Sequence, residues 1–302
     1  MRKVNCSLWR IVVVFGLLAV ICGNGSLYAQ DPQDAEKGKE SFNQAITIIK
    51  TGDTAGAVVA YQGAIKMDPT MSDAYLNLGS IYFAQNNLEK AAENFQKVTE
   101  LTPTNAVGFL NYGKVLTAQK KLDLALAAYQ SAQQIDPSNL EIEKEIGKTN
   151  FKLGKMDDCI ASLEKYVKGD STDGYSYYLM GMASKKKKND AKAMEYFKTA
   201  INRNPDDFES VYNLGNIYLG KADWSNARTQ YEKGMQLKSK DYRCANNLAL
   251  VIEQGNPGKT AMAIEAWEKF LTVAKKNPKA AELVSKAEEH LKQLKEAQAA
   301  GQ

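Results

Sequence analysis

The chain has 302 residues, of which 44% are hydrophobic and 25% charged, and its formal net charge is +4. This composition is ordinary for a soluble globular protein. Three of the 39 basic residues and none of the 35 acidic residues lie in residues 1–29, so the rest of the chain is nearly neutral. The charge therefore gives no case for nucleic acid as a partner.

The N-terminus has the features of an export signal. Arg2, Lys3 and Arg10 precede an apolar run at Ile11–Cys22, and the small residue Ala29 ends a passable cleavage site before Gln30. We expect residues 1–29 to be a cleaved signal peptide, followed by a short linker at 30–35, in a periplasmic or extracytoplasmic protein of a bacterial envelope. A retained membrane anchor remains an alternative because no charge occurs from Ile11 to Gln30. Lipidation at Cys22 is a further alternative.

Glycine recurs every 34 residues through most of the remaining chain. Alanine continues the same phase at Ala45 and Ala249, and the glycines are Gly79, Gly113, Gly147, Gly181 and Gly215. A period of 34 is typical of a helix-turn-helix repeat that stacks into a solenoid. With glycine as position 8, the units lie near 38–71, 72–105, 106–139, 140–173, 174–207, 208–241 and 242–277, in a solenoid spanning 36–275.

Other positions of the repeat have physical roles that fit two packed helices. Small residues at positions 8 and 20 allow the two helices to approach closely, which offsets the cost of glycine in a helix. Position 24 is mostly aromatic, fills the space beside the next repeat, and reads Tyr61, Phe95, Tyr129, Leu163, Phe197 and Tyr231. Proline at position 32, as in Pro69 and Pro103, is expected to end the second helix.

The pattern resembles the tetratricopeptide repeat, most clearly in AYLNLGSIYFAQNNLEKAAENFQKVTELTP at Ala74–Pro103 and again at Ser210–Leu237. The resemblance extends from about Ala35 to Lys275. It implies an all-α, right-handed superhelical solenoid of about seven units. The first unit departs from the pattern at Ser41, the fourth has Ser171 in place of proline, and the seventh has two extra residues in the turn Gly255–Gly258.

A C-terminal capping helix is expected at residues 278–299, before a tail at 300–302. Leu283, Ala287, Leu291 and Leu294 form its apolar stripe. An open solenoid needs such a cap with a polar outer face.

The resemblance also implies where a partner binds. In this family the first helix of each repeat lines a concave groove through positions 2, 5, 6, 9 and 12. Position 6 is asparagine in five of seven repeats, and these candidate peptide-binding residues are Asn43, Asn77, Asn111, Asn213 and Asn247. An amide carries donors and an acceptor, so the five can bond the backbone of an extended peptide. The alternative is that they are merely solvated.

Repeats four and five interrupt the asparagines with a different cluster. Tyr178, Leu179 and Met182 are expected to give side-chain selectivity as a binding hot spot rimmed by charge. The alternative is that some of these residues cover the core of a neighbouring repeat. Lys185–Lys188 ends the first helix of repeat five, where cations are favourable and a solvated face is expected. The alternative is a contact with an acidic partner or a lipid headgroup.

Catalysis and metal binding have little support in the sequence. We expect Cys159 and Cys244 to be free, buried thiols, and His290 to be a solvated residue of the capping helix. Outside residues 1–29, one histidine and two distant cysteines make no metal site. The sequence contains neither the G-x-x-x-x-G-K-[ST] nor the G-x-G-x-x-G phosphate-binding loop. We therefore expect a non-enzyme without a metal or other cofactor.

Together these features predict a protein-protein interaction module that binds an extended peptide or protein partner in its concave groove. One alternative is a structural scaffold that assembles envelope complexes through its convex face or ends. The other is a membrane-tethered adaptor, which would contact a membrane only if the N-terminal segment is retained. The sequence does not indicate the oligomeric state.

Overall fold

A computed structural model of the chain describes residues 32–300. The predicted signal peptide and the end of the predicted tail lie outside the described residues. Within them the chain forms fifteen α-helices and a short 3₁₀ turn at Pro278–Ala280, with no strand. The helices are α1 (Pro32–Lys50), α2 (Thr54–Met67), α3 (Ser72–Ala84), α4 (Leu88–Leu101), α5 (Ala106–Ala118), α6 (Leu122–Ile135), α7 (Leu140–Leu153), α8 (Met156–Gly169), α9 (Gly174–Lys186), α10 (Asp190–Arg203), α11 (Phe208–Gly220), α12 (Trp224–Leu237), α13 (Tyr242–Gln254), α14 (Thr260–Ala274) and α15 (Ala281–Ala300).

The first fourteen helices form seven hairpins, one for each predicted unit, and each hairpin packs on the next along the chain. The all-α solenoid expected from the 34-residue period is confirmed. The fifteenth helix packs on α14. It buries Ala287 and Leu291 and leaves Lys286, Glu288 and Lys292 exposed.

Each hairpin closes around the recurring small residue at position 8. The ring of Phe95 lies against Gly79, where an added Cβ would approach it to 3.0 Å, and Tyr129 lies in the same way against Gly113. Position 24 therefore packs first on the glycine of its own repeat. Leu163 takes this role in the fourth repeat, against Gly147.

The turn between successive repeats and the turn inside each hairpin have different physical causes. The second helices α2, α4, α6 and α10 each end two residues before a proline, as predicted. Where proline is absent in repeat four, α8 ends at the same place because Asp170 bonds the backbone and hydroxyl of Thr172. Inside each of the first six hairpins, position 15 is left-handed, with φ +79° at Gly154 and +55° at Ala222. In repeat seven the two-residue insertion moves this conformation to Gly258, with φ +82°.

Polar caps fix where most helices begin. Nine described helices have an Asp or Asn N-cap whose side chain accepts a bond from a backbone N–H in the first turn. Such caps typically contribute about 1 kcal/mol each. They set the start of each helix and hence the phase of the residues on its two faces.

The two cysteines of the described chain are free and buried, which confirms the expectation for Cys159 and Cys244. Burial raises the pKa of both thiols to about 12. They therefore stay protonated and pack as small apolar side chains.

Candidate functional site

The first helices form the inner face of the array. Successive first helices contact one another, α3 with α5, α5 with α7, α7 with α9 and α9 with α11. Second helices of successive repeats make no comparable contacts within residues 32–300. The array therefore curves with its first helices inside, and we call their exposed surface the concave face.

The five position-6 asparagines differ strongly in exposure. Asn43 is exposed, while Asn77, Asn111 and Asn247 are half-buried. Asn213 is only 7% exposed. The periodic pattern thus places all five on first helices, but it does not give them equal access to a partner.

Three of the five amides are already engaged by their own chain. Asn77 bonds the hydroxyl of Tyr61, and Asn247 donates to Tyr231 at 3.2 Å, in each case reaching the position-24 ring of the preceding repeat. Asn213 donates to the carbonyl of Glu209 at 2.8 Å and accepts from another side chain. Neither Asn43 nor Asn111 forms a side-chain hydrogen bond to the described residues, unlike the other three amides.

The predicted hot spot is only partly accessible. Leu179 is 4% exposed and belongs to the core of repeats four and five. Met182 is half-buried and packs on the core of the next repeats. Tyr178 is half-buried between Tyr175 and Phe197, with ring centroids 5.9 and 6.2 Å apart. The exposed residue beside this cluster is Tyr175, with 54% of its surface free.

An arginine in repeat seven extends this cluster along the concave face, which the sequence did not indicate. The Arg243 guanidinium lies 4.8 Å from the ring centre of Tyr212 and 5.5 Å from that of Phe208. It also bonds Glu209 at 3.3 Å. Because Tyr178 and Tyr212 share position 5, reading that column would have suggested the aromatic strip.

Nearby charges shift the pKa values of Tyr178 and Arg243. Burial raises the pKa of Tyr178, and the nearby charges of Glu209 and Asp207 raise it further. Hydrogen bonding to Asp241 raises the pKa of Arg243 and holds its positive charge in place. We call Tyr175, Tyr178, Tyr212 and Arg243 the aromatic-arginine strip.

Charges in the middle of the concave face are largely compensated within the protein. Lys114 pairs with Glu141 at 2.7 Å, and Lys148 with Glu145 at 2.6 Å. Lys144 pairs with Asp173 at 2.7 Å. These pairs leave little net charge for a partner to neutralise.

The expectation of a solvated face is confirmed for Lys186, Lys187 and Lys188 of the lysine run, which are exposed, and is wrong for Lys185. Lys185 is half-buried and donates to the Asn213 amide oxygen at 2.8 Å, and burial lowers its pKa. Lys186 lies 4.7 Å from the ring centre of Phe151, and Lys187 pairs with Asp157. Lys188 is the left-handed turn residue of its repeat.

The expectation that His290 is merely solvated is also wrong. Its Nε2 lies 3.0 Å from both carboxylate oxygens of Glu253, and its ring packs edge-on against Trp267. The indole N–H of Trp267 donates to the same carboxylate at 2.7 Å. These contacts attach α15 to repeat seven.

No group of three or more potential metal ligands occurs among the described residues. Within that same part of the chain, no helix is both long and apolar enough to cross a membrane.

Comparison with known proteins gives consistent matches. Sequence models described as tetratricopeptide repeat match residues 49–108, 108–139, 174–207 and 196–236. A curated relative is the Photosystem I assembly protein Ycf3 of Acaryochloris marina (strain MBIC 11017), 26% identical over 108 residues. That alignment covers 34% of this chain and 65% of the relative.

Solved structures share the fold. The C-terminal part of a TPR repeat-containing protein from Cytophaga hutchinsonii has a TM-score of 0.67 at 21% identity, covering 80% of this chain and 98% of that one. YrrB, described as a TPR protein with an unusual peptide-binding site, has a TM-score of 0.56 at 20% identity, covering 61% of this chain and 95% of that one. MamA protein has a TM-score of 0.53 at 27% identity, covering 58% of this chain and 94% of that one.

Seven stacked hairpins around a recurring small residue, together with repeat matches across about half of the sequence, lead to one assignment. The chain belongs to the tetratricopeptide repeat family, whose solenoids serve as protein-protein interaction modules.

Proposed function

We propose that the protein binds an extended segment of a protein partner along its concave face, as a non-catalytic interaction module. The observation that carries this proposal is the aromatic-arginine strip. Tyrosine and arginine are among the residues most enriched in binding hot spots, and the ring of Tyr175 is exposed. The peptide-binding site described for YrrB supports the view that this fold accommodates peptides.

The two halves of the concave face suit different parts of such a segment. Near the N-terminus, Phe83 is 36% and Val107 is 48% exposed, so this half offers apolar contact. Asn43 and Asn111 add free amides that can bond a peptide backbone. Toward repeats five to seven, the aromatic-arginine strip would select aromatic or acidic side chains through ring stacking and charge-assisted bonds.

We also propose that the mature protein acts in the bacterial envelope after cleavage of residues 1–29. The support is the sequence of a positive segment, an apolar run and a small residue before Gln30. Mass spectrometry of the protein from its native cell tests this proposal. A mature N-terminus at Gln30 is the expected result, whereas an intact N-terminus would favour the tethered adaptor.

Affinity capture from the native envelope tests the groove. The test variant combines Asn43→Ala, Asn111→Ala and Tyr175→Ala, which remove two amides without internal side-chain hydrogen bonds and one exposed ring, and which leave the internal bonds of Asn213 and Asn247 intact. Its matched control carries Val59→Ala and Leu124→Ala, because these exposed apolar residues, 68% and 59% free, lie on second helices. Both variants should match the wild-type circular dichroism spectrum.

A partner retained by the control and lost from the test variant would establish groove binding. In a direct measurement with that partner, Tyr175→Ala should weaken binding by about 30-fold, the effect of losing a hot spot worth about 2 kcal/mol. A partner bound equally by wild type and the test variant would overturn the proposal and favour a scaffold that uses its outer face or ends.

A further inference from the structure

An apolar cavity opens between the second helices of the last two repeats. Its volume is about 230 Å³, and it lies between α12, α13 and α14. Because α12 and α14 are second helices, the cavity opens away from the concave face. Its larger lining residues are Met235, Leu248, Ile252, Phe270 and Val273.

The cavity exists because repeat seven lacks two large side chains that another repeat carries. Position 4 is Ala245 and position 23, after the two-residue insertion, is Ala266. Repeat five has Tyr177 and Tyr196 at the same two positions, and both pack on one core cluster. Repeat seven alone among repeats two to seven has alanine at both positions. The two tyrosines therefore fill this space between the helices in repeat five, whereas the two alanines leave it open in repeat seven.

The volume of the cavity suits one aromatic ring. An apolar cavity of about 150 Å³ is known to hold benzene, so about 230 Å³ admits a ring and the carbon that attaches it. Burying such a group removes apolar surface from water at about 25 cal/mol per Å². Repeat five shows that rings are compatible with this location between helices of the array.

The chemistry of the lining residues indicates whether the ring belongs to a free small molecule or to a protein side chain. Lys269 is the only charged residue of the lining, and it pairs with Glu265 at 2.6 Å. A free metabolite would bury its own polar groups here without hydrogen-bond partners, which is costly. A phenylalanine of another protein would insert only its ring and leave its backbone in water.

We propose that this pocket receives a phenylalanine side chain of a partner protein and forms a second binding site on the outer face. The site does not depend on the concave face, because its lining lies on the opposite side of α13 from Arg243 and Asn247. The pocket forms because repeat seven has alanine at the two positions where repeat five has tyrosine.

Methyl NMR of the full chain tests the proposal with toluene and N-acetylphenylalaninamide as probes. Both should shift the methyl signals of Met235, Leu248 and Ile252 in a saturable manner, and N-acetylserinamide should not. Ala245→Phe supplies the missing ring from α13, so it should keep the fold and abolish the shifts. Ala266→Phe fills the pocket from α14 and replaces the first variant if that one does not fold.

Three results would overturn the proposal. They are the absence of saturable shifts in the wild type, shifts that persist in a folded filled variant, and binding of phenylacetate at least tenfold tighter than both probes. The last result would identify a site for small organic acids held by Lys269. Asn43→Ala is the matched control from the concave face, and it should bind the probes as the wild type does even if the groove proposal fails.

Discussion

The contact between Gly113 and Tyr129 sets two effects against each other at a single residue. Alanine is favoured over glycine inside a helix by about 1 kcal/mol. However, an added Cβ at Gly113 would lie 2.5 Å from Cε1 of the Tyr129 ring. The Tyr129 side chain is fully buried, so its ring is packed on all sides. Overpacking of this kind costs about 1–3 kcal/mol, so steric strain should dominate.

Gly113→Ala should therefore lower the thermal unfolding midpoint, measured by circular dichroism. The matched control is Gly220→Ala at the end of α11, where an added Cβ meets no atom within 4 Å. The control should leave the midpoint unchanged or raise it. Equal midpoints for the two variants would show that close helix approach does not explain the recurring glycine.

Asn247 joins two repeats through its side chain. Its amide donates to Asn216 at 2.9 Å and to the Tyr231 hydroxyl at 3.2 Å. Asn247→Ala should reduce the free energy of unfolding by about 1–2 kcal/mol, because each net bond is worth about 1 kcal/mol. Asn43→Ala, at an exposed amide, should change it by less than about 0.5 kcal/mol.

Urea unfolding of both variants and of Tyr231→Phe measures these differences. A double-mutant cycle between Asn247→Ala and Tyr231→Phe should show coupling. Its absence would mean that position 6 contributes no link between repeats.

The sequence predicted where the asparagines lie but not what each one contacts. A periodic pattern assigns a residue to a helix face, whereas its bonds depend on the neighbour 16 residues earlier. That neighbour carries a hydroxyl in Tyr61 and Tyr231 but not in Phe95 and Phe197. A comparison of position 6 with position 24 of the preceding repeat would therefore have predicted which asparagines have a hydroxyl partner. The burial of Asn213 and Leu179 depends on packing between repeats, which cannot be predicted from the residues at one position of the repeat.

At the scale of the helix, the sequence predicted the hairpins well because most boundaries have a local cause. Proline or an Asp-Thr pair follows five of the seven second helices, α2, α4, α6, α8 and α10, and Asp or Asn begins most helices. The left-handed residue at position 15 was missed, because it is glycine in only some repeats. Lys120, Lys188 and Ala222 adopt the same conformation without being glycine. There, the geometry of the hairpin overrides the residue preference.

Asp241 provides a pH-dependent prediction for one helix start. It caps α13, accepting from the backbone N–H groups of Arg243 and Cys244. Burial alone would raise the pKa of this carboxyl, but the Arg243 side chain and these backbone bonds hold it below its usual value. A carboxyl whose folded pKa is lowered stabilises the protein above about pH 4. That contribution is lost as the pH falls through the folded pKa.

Asp241→Asn should therefore lower the unfolding midpoint at pH 7 by an amount equivalent to about 1 kcal/mol, and the difference from wild type should shrink below about pH 3. Thermal unfolding at both pH values measures the effect. Asp123→Asn, at an exposed position in α6, controls for the loss of one negative charge. A difference that stays constant with pH would show that the charge of Asp241 contributes nothing.

At the scale of the whole molecule, the core of the array is least apolar in its middle. Position 11 is Tyr82, Leu116, Tyr218 and Ile252 in four repeats, but it is Asn150 and Ser184 in repeats four and five. Both polar residues are buried, with the Asn150 Oδ1 and the Ser184 Oγ lacking any hydrogen-bond partner within the described chain. In a solenoid each repeat is stabilised only by its neighbours, so such a defect acts locally.

Asn150→Leu should correct this defect, because leucine occupies the same position in repeat three. It removes a buried unsatisfied oxygen, a cost of about 1–3 kcal/mol, and adds apolar burial. Hydrogen exchange of the wild type should show faster opening of α7–α9 than of α11–α12, and the variant should slow α7–α9 alone. Asn202→Leu, on the exposed face of α10, is the matched control and should change neither region. Faster exchange in α7–α9 of Asn150→Leu would instead mean that the amide stabilises the middle of the array, and that its polar core is a requirement of the fold.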